Sequence, residues 1–114
     1  MCTNVTSAGT GVIQSPNFPG DYGNEEGQCQ VSIVVPAGKR IQLTFTTFNL
    51  ETRYSSIDVL ESGTYYMFGV TGSAIPAVVT TKANIVYLKF NNNVSSKPNS
   101  AKYNWQATYS AVTV

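Results

Sequence analysis

Two acids, Glu51 and Asp58, and four aromatic residues, Tyr54, Tyr65, Tyr66 and Phe68, are the side chains of this sequence best suited to bind a partner. Histidine is absent from the chain, which removes the commonest general base, the imidazole metal ligand and the usual pH switch. Ser–His and Cys–His nucleophiles are excluded with it. Glu51 and Asp58 are the residue types of a glycosidase pair, yet no neighbouring pattern marks a cleft or a raised pKa, so the chain is read as non-catalytic. The aromatic set suits a different task. Sugar rings stack on aromatic faces while nearby Asn, Ser and Thr bond their hydroxyls. Ordinary strand packing competes with that reading, and Tyr65 and Tyr66 point to opposite faces of any regular strand. The cysteines, Cys2 and Cys29, fit no zinc spacing and have no histidine to complete a set. A disulfide closing that loop would contribute about 3.6 kcal/mol by loop entropy; two unpaired thiols are the alternative.

Strands must position these groups, because the apolar residues recur with a period of two. Cys29, Val31, Ile33 and Val35 share one parity; so do Ile41, Leu43 and Phe45; so do Val86, Leu88 and Phe90; and so do Tyr103, Trp105, Ala107 and Tyr109. Each run gives one apolar and one mostly polar face, as a half-buried strand requires. Weaker strands are expected over 11–15, 56–61, 65–70 and 77–81, and a long polar loop over 91–100. Eight or more short strands punctuated by Gly, Pro and Asn predict an all-β fold, an antiparallel β-sandwich.

The 114 residues suit one domain, spanning 1–114. Charged residues are 11% of the chain and the net charge is +1, with no basic cluster. That argues against nucleic-acid binding, since neutralising phosphates takes dense Lys and Arg. Apolar runs fall far short of the roughly 20 residues that cross a bilayer, so no membrane insertion is expected. A neutral surface rich in Thr, Ser, Asn and Gly reads as extracellular. Asn4-Val5-Thr6 and Asn93-Val94-Ser95 match the glycosylation triplet, a pattern frequent by chance in such a composition. No signal peptide is visible, and the expectation is a domain excised from a longer exported protein.

Gly11-Val12-Ile13-Gln14-Ser15-Pro16-Asn17-Phe18-Pro19, followed by Tyr22, resembles the opening signature of a CUB domain. Cys29, Pro36-Ala37-Gly38, Phe45 to Glu51, Asp58, Gly72 to Pro76, Val86 to Phe90 and Trp105 to Tyr109 then come in the family's order. The resemblance implies a jelly-roll-like β-sandwich of a secreted or cell-surface protein, acting as a binding module. It also implies the Cys2–Cys29 disulfide, with Ser55 and Thr71 standing where the family's second pair would fall. Trp105 occupies a family core position.

Many members hold calcium at one end of the sandwich. The implied ligands here are Glu51, Asp58 and, in place of a third carboxylate, Asn93, with Tyr22 as support. Two carboxylates instead of three should weaken such a site, because calcium affinity follows ligand charge and rigidity. The interval from Glu51 to Asp58 is also one residue shorter than usual. Three functions are open to such a chain. The leading one is recognition of a protein partner through an exposed Lys or Arg that pairs with Glu51 and Asp58. The second is a glycan-binding adhesin domain that meets a cell-surface glycan with Tyr54, Tyr65, Tyr66 and Phe68. The third is a structural or oligomerising module.

Overall fold

The computed structural model describes residues 5–6, 9–23, 27–93 and 103–113, with 5–6 as backbone. The described strands are β1 (Val5–Thr6), β2 (Thr10–Gln14), β3 (Gly27–Val34), β4 (Lys39–Asn49), β5 (Ser55–Glu61), β6 (Thr64–Val70), β7 (Val79–Thr80), β8 (Ile85–Asn92) and β9 (Asn104–Thr113). One sheet runs β1-β3-β8-β5-β6 and the other β2-β9-β4-β7. All pairings are antiparallel except β1 with β3. The all-β sandwich expected from the period-two runs is therefore present, and it lacks a helix among the described residues.

The core lies between the sheets and is built from those runs. Val31, Ile33, Ile57, Val59, Val86, Leu88 and Phe90 face inward from one sheet, and Ile41, Leu43, Phe45, Trp105, Ala107 and Tyr109 from the other. Trp105 is fully buried, edge-on to Phe45 and Phe90. Strand β7 is shorter than the expected 77–81, whereas β8 runs on into the stretch expected to be loop, through Asn91 and Asn92. The reason is parity: Asn92 continues Val86, Leu88 and Phe90 inward and is 3% exposed.

A bulge in β4 decides which residues in the second half of that strand face the core. The register with β9 skips between Phe45 and Thr47, leaving Thr46 as an extra residue. It bonds the carbonyl and side chain of Gln106 on the outside. The extra residue re-phases the strand, so Phe48 and Leu50 turn inward after Phe45. Glu51 thus leaves β4 at the end of the sandwich.

Gly11 lies opposite Tyr109 in the β2–β9 register. A Cβ there would meet the buried Tyr109 ring at 2.7 Å. Gly11→Ala is expected to cost about 1–3 kcal/mol by overpacking. Gly9→Ala, where a Cβ meets nothing within 4 Å, should change stability by less than about 0.5 kcal/mol. Urea unfolding of both variants checks this, and equal losses would refute the steric account.

Candidate functional site

Tyr22 organises one end of the sandwich. Its ring is buried, edge-on to Phe90 with centroids 5.0 Å apart. Its hydroxyl donates to Ser55 Oγ at 2.6 Å and accepts from the Glu51 backbone N–H at 3.0 Å. Ser55 Oγ in turn donates to Asn92 Oδ1 at 2.9 Å, and Asn92 Nδ2 donates to the Gly23 carbonyl at 3.3 Å. Ser55 and Asn92 are both buried. The Glu51 carbonyl then accepts from the amides of Tyr54 and Ser55, closing a turn at the start of β5. Burial pushes the Tyr22 hydroxyl above its ordinary pKa, against the opposing effect of its bonds with Ser55 and Glu51; the charges of Glu51 and Asp21 push it further up.

Three segments distant in sequence are thereby knitted together without a covalent bond. Ser55, which stands where the family's second disulfide would begin, is a hydroxyl hub instead. Asp21 adds to the same end, its two oxygens accepting from the amides of Gly23 and Tyr103, both at 2.8 Å.

Asp58 sits elsewhere. It alternates with the inward Ile57 and Val59, so it faces the outer side of the five-stranded sheet, opposite Lys89 in register. Two bulges disturb its neighbour β6: Phe68 and Gly69 together oppose Asp58, and Tyr66 is an extra residue between the Val59–Met67 and Leu60–Tyr65 pairs. Gly69 takes φ = 62°, a left-handed conformation suited to glycine. Its amide donates to Asp58 Oδ1 at 2.6 Å, and Asn91 Nδ2 approaches Asp58 Oδ2 at 3.3 Å.

The bulges decide the fate of the aromatic set. Phe68 is 74% exposed and Tyr65 47%, and their rings meet edge-to-face at 5.0 Å. In a regular strand residues three apart would face opposite ways. Tyr66 is half-buried instead, and its hydroxyl donates to Glu61 Oε1 at 2.6 Å. The Lys82 amide donates to the same carboxylate oxygen and to the Tyr66 hydroxyl. Those bonds, the one from Tyr66 foremost, hold the Glu61 carboxyl below its ordinary value. Tyr54 is exposed but lies apart from the β6 pair, beside β5.

An open groove of about 210 Å³ runs between the ends of β5, β6 and β8, lined by Arg53, Tyr54, Ser55, Ser56, Gly69, Thr71, Asn91 and Asn93. Asn93 is exposed there, its amide donating to the Tyr54 carbonyl. Of the calcium set implied by the resemblance, Glu51 bonds Tyr22 through its backbone N–H, Asp58 lies on the outer face of β5, and Asn93 lines the groove. No three Asp, Glu or Cys side chains converge among the described residues. Both Asp58 oxygens already face nitrogen donors, and a guanidinium lines the groove. Such a donor set does not fit a tightly held calcium ion, which takes six to eight oxygens and gains affinity with their charge.

Cys29 is buried and disulfide-bonded; Cys2 lies outside the described residues, as do Asn4 and the last two positions of the second glycosylation triplet. Sequence reasoning missed Ser55 as a hub, together with Asn92 and Asp21. A signal was available for two of them. Ser55 shares the parity of Ile57 and Val59, and Asn92 that of Phe90, which marks both as buried polar residues in need of partners.

Among known proteins, the chain matches the CUB domain family over residues 2–109. It is 32% identical over 120 residues to Blastula protease 10 of Paracentrotus lividus, covering 97% of this chain and 19% of that protein. The full extracellular region of zebrafish Gpr126/Adgrg6 superimposes with a TM-score of 0.79 at 24% identity, over 99% of this chain and 15% of the other. The MASP-1 CUB2 domain bound to Ca2+ does so with a TM-score of 0.82 at 20% identity, over 96% and 99%. These two likenesses show the fold. The chain spans about a fifth of its curated relative's length.

Proposed function

The chain belongs to the CUB domain family, and from that premise we propose that it is a non-catalytic extracellular recognition module binding a protein partner at the Tyr22–Glu51 end, with Asp58 as a flanking contact. The observation that carries the reading is the buried bond set from Tyr22 through Ser55 to Asn92. It fixes the backbone of Glu51, so the carboxylate is presented from a rigid turn and less ordering entropy is lost on binding. A Lys or Arg of the partner is the complementary group. The chain acts as one module of a longer exported protein, in keeping with the share of Blastula protease 10 that it spans.

The test is retention on a library of immobilised Lys- and Arg-bearing peptides. Glu51→Lys should cut retention at least tenfold and raised salt should weaken it, because charges at an interface steer and register a partner. Asp58→Lys should act in the same direction; unchanged retention in Glu51→Lys sinks the proposal. Calcium is not required for this mode of binding. A site of about millimolar Kd would gain only about 0.4 kcal/mol at 1 mM calcium, a rise of about 2 °C in melting temperature. A site with Kd near 0.1 mM would gain about 1.4 kcal/mol. A melting-temperature rise above about 4 °C that is lost in Asp58→Asn would restore calcium to the mechanism.

A further inference from the structure

The groove and the aromatic pair are adjacent. Gly69 lines the groove, and the residue before it, Phe68, begins the exposed Phe68–Tyr65 pair. Asp58 holds the junction through its bond to the Gly69 amide, and Asn91 links Asp58 to Ser56 on the groove wall. The lining offers hydroxyls from Tyr54, Ser56 and Thr71, the side-chain amide of Asn93, and one guanidinium from Arg53. Arg53 is held at φ = 75°, a left-handed backbone that a side-chain-bearing residue adopts at a cost. Outliers of this kind cluster at binding sites.

We propose that this outer β5–β6 edge is a second binding site, separate from the Glu51 end, and that it takes a neutral oligosaccharide. One pyranose ring occupies the groove against Tyr54, and the neighbouring ring crosses Phe68 and Tyr65. The chemistry is specific to that class. A sugar ring presents a C–H face to an aromatic surface and a rim of hydroxyls that both donate and accept, as the Ser, Thr and Asn side chains of this lining do. The groove is too small for an apolar side-chain cluster. The Asp58 carboxylate lies one hydrogen bond behind the groove wall through Asn91, which favours an uncharged ligand over a sulfated or sialylated one.

The test is a glycan array carrying neutral, sialylated and sulfated oligosaccharides, followed by calorimetric titration of a retained neutral one. Phe68→Ala and Asn93→Ala, both at exposed positions, should keep the wild-type melting temperature and lose at least tenfold in affinity. Glu51→Lys should stay within twofold. Failure to retain any neutral glycan, retention of acidic glycans alone, or unchanged affinity in Phe68→Ala would each overturn the proposal. A loss in Glu51→Lys would do so as well, by moving the ligand to the sandwich end. Peptide binding is read separately, so either site can fail without the other.

Discussion

Tyr22→Ala is expected to destabilise the domain by about 3–5 kcal/mol, the usual cost of truncating a buried aromatic residue. The ring fills the space over Phe90 and its hydroxyl serves Ser55 and Glu51 at once. Tyr22→Phe separates the two contributions. It retains the ring but leaves the Glu51 amide without its acceptor and takes away the proton that Ser55 receives. Because Ser55 is buried, the expected cost is about 1–3 kcal/mol.

The two variants also differ from wild type with pH. The raised pKa of Tyr22 means its contribution is complete below pH 10 and is lost as pH rises through the folded-state value. The gap between wild type and Tyr22→Phe should therefore narrow above pH 10. Denaturant unfolding at neutral and alkaline pH measures both effects. A Tyr22→Phe variant as stable as wild type at neutral pH would show the hydroxyl network to be energetically idle.

Cys29→Ser should have an effect of similar size. Loop entropy puts the contribution of the Cys29 bridge at about 3.6 kcal/mol if it closes on Cys2, within the 2–5 kcal/mol common when a small domain loses a native disulfide. For a chain of this length that is a fall of roughly 10–20 °C in melting temperature. The chain has two cysteines in all, so no other disulfide shares the load. Reductant should lower the wild-type melt to that of Cys29→Ser and leave the variant unmoved. A difference below about 3 °C between oxidised and reduced wild type would contradict this expectation.

The fold was legible because its core follows a period of two over most of the length of its long strands. Val31, Ile33, Leu43, Leu88 and Trp105 are buried where parity puts them. Legibility fails wherever an extra residue shifts the phase. Nothing in the sequence around Thr46 announces a bulge, yet without it Phe48 would face water. Phe68 and Tyr65 are likewise on opposite parities in sequence and together in space, because β6 carries bulges against β5. Of the candidate site, the residue types at Tyr22, Glu51 and Asp58 were legible from the family pattern. The bonds they make were not, because a resemblance maps residue types and says nothing of what already bonds them. The buried pair of Ser55 and Asn92 lay within reach of the parity argument, once polar residues are allowed on an inward face.

The bulges of β6 bear on how the molecule behaves in a crowd of its own kind. A regular, exposed edge offers an even row of amides and carbonyls on which another chain can add a strand. β6 is an edge strand, but the doubled Phe68–Gly69 and the extra Tyr66 break that row into uneven steps. A foreign strand laid along it could not keep register. The edge is therefore closed to a ligand that reads backbone and open to one that reads side chains. Regularising β6 by deleting both Tyr66 and Gly69 would remove the protection and invite sheet-to-sheet polymerisation.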